Sequence, residues 1–225
     1  GGVLIGIIAL FSIFIHIFTP HFDYPIVLVG LLGLYLLILA YSAIGIFFSS
    51  LTKYQVVAAI GTLAALAFLN NVSDIGRKSD LIRDITYWLD LSGKSRSFLN
   101  GIFSSQDFFY FIIVIVLFLS LSIFKLNTEK SIMSTRTKVL KYCAIVGACL
   151  VCGYITTFPK LKYYYDATYT QTNTLCKESQ AIMKSIKDKL TITTYVNLFD
   201  EQFFWFHPHN KNYDKARLEK YIRFK

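Results

Sequence analysis

Few residues in this chain are of a type that could do chemistry, and their spacing argues against most of it. Cys149-x-x-Cys152 has the separation of a redox or metal pair, yet a second ligand pair is absent and its flanks are apolar, so small packing residues fit it better. Cys143 shares that apolar run, and Cys176 stands by itself further on. His207-Pro208-His209 offers two imidazoles, but Pro208 bends the pair and no third ligand stands nearby; a loop turn is expected. Asp200 and Glu201 are adjacent, so at a strand end they point to opposite faces and make a poor acid–base pair. His16 closes an apolar run with no intramembrane carboxylate beside it, which suits an interface residue rather than a proton relay. His21 and Asp23 lie between Pro20 and Pro25, in what reads as a solvated turn. With no nucleophile–base pair and no Gly-rich phosphate loop, the expectation is a non-enzyme without cofactor or metal.

The elements that carry these residues are more informative. Five apolar runs occupy the first 158 residues, and the last 67 are polar and mixed. The chain is 54% hydrophobic with mean hydropathy +0.48, too apolar for an ordinary soluble domain of this size. Hydrocarbon cannot hydrogen-bond a bare backbone, so such runs point to a mainly α, polytopic transmembrane helical bundle. The expected spans are 1–19, 26–48, 56–69 and 108–124, with an additional helix at 139–158. The third run is the shortest, since fourteen helical residues rise only about 21 Å. Gly61 and Ala65 give it a small-x-x-x-small spacing, so burial among other helices and a packing or gating role are expected there. Ala144, Ala148 and Cys152 recur every four residues in the fifth.

Residues 70–107 break the pattern. Asp74, Asp80, Asp84 and Asp90 are interspersed with Arg77, Lys78, Arg83, Lys94 and Arg96. Leu81, Ile82, Ile85, Trp88 and Leu89 share one helical face, which reads as an interfacial amphipathic helix over 81–100 that lies on or dips into the membrane surface. Trp88 is a candidate gate or packing residue at that boundary. Of 23 Lys and Arg, 12 follow Phe158 and 5 fall between residues 125 and 141. The formal charge of +9 therefore reflects topology and a solvated tail, not a nucleic-acid groove. Placing the basic linker 125–138 in the cytoplasm puts the turn 20–25, the segment 70–107 and the tail on the outer side.

In the tail, residues 177–188 read as a helix, Leu190–Leu198 alternate as a strand and Tyr213–Phe224 as a further helix. Residues 159–225 thus look like the truncated start of an extracytoplasmic α/β domain, and the chain like an internal piece of a longer protein. Phe203, Phe204, Trp205 and Phe206 form a dense aromatic cluster, suited to core packing, to contact with the membrane surface or to a partner-binding patch.

Three helices, an interfacial helical segment and a further apolar helix resemble the C-terminal half of an ABC type-2 transporter permease. The phrase from Leu99-Asn100-Gly101 through Ser105-Gln106-Asp107 to Tyr110 is similar to the stretch before the last permease helix of gliding-motility-associated (Gld) transporters. Tyr165-Asp166-Ala167-Thr168, Asn173-Thr174-Leu175 and Thr191-Ile192-Thr193-Thr194-Tyr195-Val196 resemble the start of the auxiliary Gld component, a membrane helix followed by an extracytoplasmic domain. Cys176 departs from that pattern, standing where a capping Ser is expected. The resemblance implies two components fused through residues 125–138. It also implies an ABC ATPase on another chain, a dimeric transmembrane assembly, and residence in the bacterial inner membrane with the C-terminal region outside. The competing expectation is a membrane-anchored sensor or scaffold presenting an extracytoplasmic binding domain. Neither reading names a transported substrate.

Overall fold

The computed structural model describes residues 2–19, 23–75, 86, 89–129, 134–158, 161–186, 218, 220 and 221. Among these the chain is mainly helical. In order run α1 (Gly2–Phe18), α2 (Tyr24–Leu51), α3 (Gln55–Ile75), α4 (Leu91–Leu99), β1 (Ile102–Ser104), α5 (Ser105–Glu129), α6 (Thr135–Ile155), β2 (Tyr164–Asp166) and α7 (Lys177–Ser185). Among the described residues, four helices are long and apolar enough to cross a membrane: Tyr24–Leu51, Gln55–Val72, Ser105–Thr128 and Thr135–Ile155. The 17 residues of α1 make a shorter apolar helix. This is the architecture of a multi-pass membrane protein.

Local chemistry accounts for the boundaries. Pro25 sits in the first turn of α2, where its missing N–H costs nothing. Thr52, in extended conformation, ends that helix, and its hydroxyl accepts from the Tyr54 backbone N–H at 3.2 Å before α3 begins. At the two ends of the expected linker 125–138, α5 runs on to Glu129 and α6 begins at Thr135. Lys and Arg are good helix formers, and their long side chains can carry charge into water while the backbone stays helical.

The chain divides into two compact units, one of residues 1–71 with 90–167 and one of residues 72–89 with 168–225. In the first, the core lies where α2 meets α4 and α5. Leu31, Leu36, Ala40, Ala43 and Ile44 of α2 are buried, as are Leu91 and Phe98 of α4 and Tyr110, Phe111 and Leu121 of α5. Further along, Phe47 of α2 meets Phe118 of α5 with ring centroids 5.5 Å apart. The outer helices are different. Val56, Val57, Ile60, Leu63 and Phe68 of α3 are all exposed, so the expected burial of this helix does not occur within the chain. Its 21 residues also exceed the fourteen of the apolar run, because Asn70 and Asn71 continue the helix. A polar residue closes a hydropathy window without breaking a backbone.

Strands β1 and β2 pair antiparallel, with Ile102 opposite Asp166, Phe103 opposite Tyr165 and Ser104 opposite Tyr164. β1 precedes α5 and β2 follows α6, so the two helices form a hairpin whose outer ends are tied together. At its other end, the Phe124 and Tyr142 rings pack edge to face at 4.7 Å. In the second unit, α7 begins after Cys176, whose thiol makes no backbone cap and lies 3.1 Å from the Ser179 hydroxyl. Glu178 in its first turn and Lys184 in its last complement the helix dipole. The strand expected at Leu190–Leu198 lies outside the described residues. Of the helix expected at Tyr213–Phe224, the described Leu218, Lys220 and Tyr221 are helical.

Candidate functional site

The short helix α4 positions the charged residues that matter most. It approaches α2 closely because α2 offers no side chain at two places. A Cβ at Gly33 would overlap the Phe98 side chain, and one at Gly30 would reach Leu99 Cδ2 at 3.9 Å. Phe98, fully buried, is held by Phe111 of α5 (6.3 Å between centroids) and by Phe103 of β1 (6.0 Å). Gly101 closes the helix with φ 80°, the left-handed conformation that a residue without Cβ adopts freely, and its N–H donates to the Phe98 carbonyl at 2.9 Å.

At the other end of α4, Asp90 is the N-cap. Its carboxylate accepts from the Gly93 backbone N–H at 3.0 Å and from the Ser92 hydroxyl at 2.8 Å. The Ser92 hydroxyl also lies 3.3 Å from the Asn70 carbonyl of α3, and the Asn70 side-chain oxygen accepts from the Tyr41 hydroxyl of α2 at 2.8 Å. One turn along, Lys94 Nζ lies 3.0 Å from Asp107 Oδ1, with about a tenth of each side chain exposed. Asp107 stands in the first turn of α5, where a negative charge suits the helix dipole. Tyr110, buried one turn further, is within electrostatic reach of both Asp90 and Asp107.

Side chains of four helices thus form one polar seam through an apolar bundle. Two carboxylates, one ammonium, two phenols, a serine and an asparagine are brought together, with Lys94 paired to Asp107 and Asp90 capping α4. Among the described residues, no cluster of three or more His, Cys, Asp or Glu could hold a metal ion. What the seam does is join α4 to α3 through Ser92 and to α5 through Lys94. An ion pair buried in a bundle contributes little net stability but fixes register, and its loss of either partner is costly.

The residues singled out from sequence fall elsewhere. A Cβ at Gly61 would come 2.9 Å from Phe48 Cδ1, so this glycine serves close packing of α3 on α2. Nine residues separate it from Asn70, about 13.5 Å along the helix, which places it outside the seam. Ala65 is half-buried between those two levels. Trp88 and the cluster Phe203, Phe204, Trp205 and Phe206 lie outside the described residues, as do Leu81, Ile82 and Ile85. Asn70, Ser92 and Tyr110 were not distinguishable as site residues in the sequence. The available signal was Asp90-Leu91-Ser92-Gly93, an N-cap followed at once by residues able to satisfy it.

The chain matches no protein-family model, no curated protein and no solved structure.

Proposed function

We propose that this chain is the membrane-spanning permease subunit of an ATP-driven ABC transporter, an exporter of the Gld-like type, with an auxiliary extracytoplasmic region fused behind its last helix. The reading is supported chiefly by the Asp90–Lys94–Asp107 seam around α4. A bundle that merely anchors a tail needs no ionic group between a short helix and its neighbours, whereas a gate needs an element with two defined positions. ATP hydrolysis belongs to a partner subunit, and its closure rocks the bundle and shifts α4 against α2. Residues 20–25, α4 and the tail lie on the extracytoplasmic side of the inner membrane in this arrangement, and two copies complete the pathway.

Cysteines placed at Gly30 and Leu99, which face each other across the α2–α4 contact, test the gate in the full chain with its ATPase. The crosslinking yield is expected to differ between the ATP-bound and ADP-bound states. Equal yields, or failure of any ATPase to co-purify, would overturn the proposal in favour of a sensor or scaffold.

A further inference from the structure

We infer that the β1–β2 ribbon is a mechanical strap that makes the chain after Ala167 a direct handle on α4 and its ionic seam. The inference stands on the fold alone and holds whether or not the protein is a transporter.

The ribbon is bonded well beyond its three paired residues on each strand. At one end, the Ala167 N–H donates to the Gly101 carbonyl at 2.8 Å. At the other, the Ser105 N–H donates to the Tyr163 carbonyl at 3.0 Å. The Ser105 hydroxyl then clasps the incoming chain twice, donating to the Leu161 carbonyl at 2.8 Å and accepting from the Tyr163 N–H at 2.9 Å. A ribbon this short is marginal by itself, so it persists because its side chains are anchored. Phe103 supplies that anchor, packing on Phe98 of α4 and on Phe108 of α5.

There is no slack on either side. Between the end of α4 and β1 stand only Asn100 and Gly101. Both are bonded back onto the helix, Asn100 to the Arg96 carbonyl and Gly101 to the Phe98 carbonyl, each at 2.9 Å. On the tail side, β2 ends at Asp166 and the last ribbon bond is made by Ala167, so the residues from Thr168 onward leave directly from it. A displacement of the departing chain therefore reaches Gly101 through one hydrogen bond, and α4 through two capped residues. Helix α5 provides the frame, because it continues directly from β1 at Ser105, whose backbone and hydroxyl hold Tyr163 just before β2. Asp90 and Lys94 ride on α4 while Asp107 stands on α5, so a shift of α4 along its axis changes the Lys94–Asp107 separation first.

Hydrogen exchange of the full chain in lipid nanodiscs tests this. Ala167→Pro removes the donor to Gly101, and Ser105→Ala removes both clasp bonds. Each is expected to speed exchange of the α4 amides by about tenfold, the effect of one lost hydrogen bond's worth of protection, with the α2 amides unchanged. The disulfide variant Ile102→Cys/Asp166→Cys, joining directly opposed positions, is expected to slow α4 exchange. Faster exchange confined to the ribbon, with α4 as protected as before in both single variants, would overturn the strap. So would an unaltered α4 in the disulfide variant, which serves as the deciding measurement should either single variant loosen the whole bundle.

Discussion

Phe98 on α4 and Leu63 on α3 are both large apolar residues in helices of one chain, yet the first is fully buried and the second is 67% exposed. The contrast holds for the regions around them. The centre, made by α2, α4, the start of α5 and the ribbon, combines glycine contacts, stacked rings and a paired ionic seam. The outer helices α1, α3 and α6 are apolar as well, α3 and α6 at mean hydropathy 1.6 against 2.4 and 2.6 for α2 and α5, and turn most of their apolar residues outward. In water such a surface would be untenable, whereas lipid solvates it at no cost. Hydrophobicity therefore does not separate inside from outside here. Close approach and polar partnering do.

The comparison can be broken in a graded way. Phe98→Ala should cost about 3–5 kcal/mol, because it empties a packed site between three elements, and equilibrium unfolding in mixed micelles would measure it. Lys94→Met leaves Asp107 buried without its cation and should cost about 3 kcal/mol, while adding Asp107→Leu should recover most of that. The same unfolding assay reads the recovery, and an equal loss in single and double variants would show that the pair is not coupled. In the outer region, Leu63→Arg should raise the cost of membrane insertion by about 2.5–3.5 kcal/mol, scored by glycosylation of an engineered flanking site. A neutral result there would mean that α3 faces water. Gly33→Ala, which drives a methyl group into Phe98, should destabilise by about 1–3 kcal/mol. The matching change at Gly147 on α6, where a Cβ meets nothing within 4 Å, should instead stabilise by about 0.5–1 kcal/mol. Thermal midpoints of the two glycine variants should thus move in opposite directions.

Much of the architecture was legible before any coordinates. The apolar runs mark the helices, since a bilayer demands internal hydrogen bonding and about twenty residues per span. The charged interval 70–107 reads in sequence as holding an interfacial helix over 81–100. Its described residues instead continue α3 to Ile75 and form the nine-residue α4, Leu91–Leu99, with Leu91 and Phe98 buried in the bundle. The third helix misled because shortness of an apolar run is not shortness of a helix: Asn70 and Asn71 end the hydropathy signal and leave the backbone helical. Gly61 stands out in sequence by its small-x-x-x-small spacing, and in the structure the side chain it makes room for is Phe48 of α2. The charged residues of the seam were visible, but nothing in their order distinguished Lys94 and Asp107 from Arg77 or Asp80.

What the sequence by itself determined is which segments are helices long and apolar enough to cross a membrane, because hydropathy and length are read residue by residue along the chain. What only the tertiary structure decided is which of many glycines, aromatics and charges meet. Pairing of Gly33 with Phe98, of Lys94 with Asp107, and of Gly101 with Ala167 across 66 residues depends on helix rotation and on strand register. Those quantities are set by contacts between distant segments, and no local spacing encodes them.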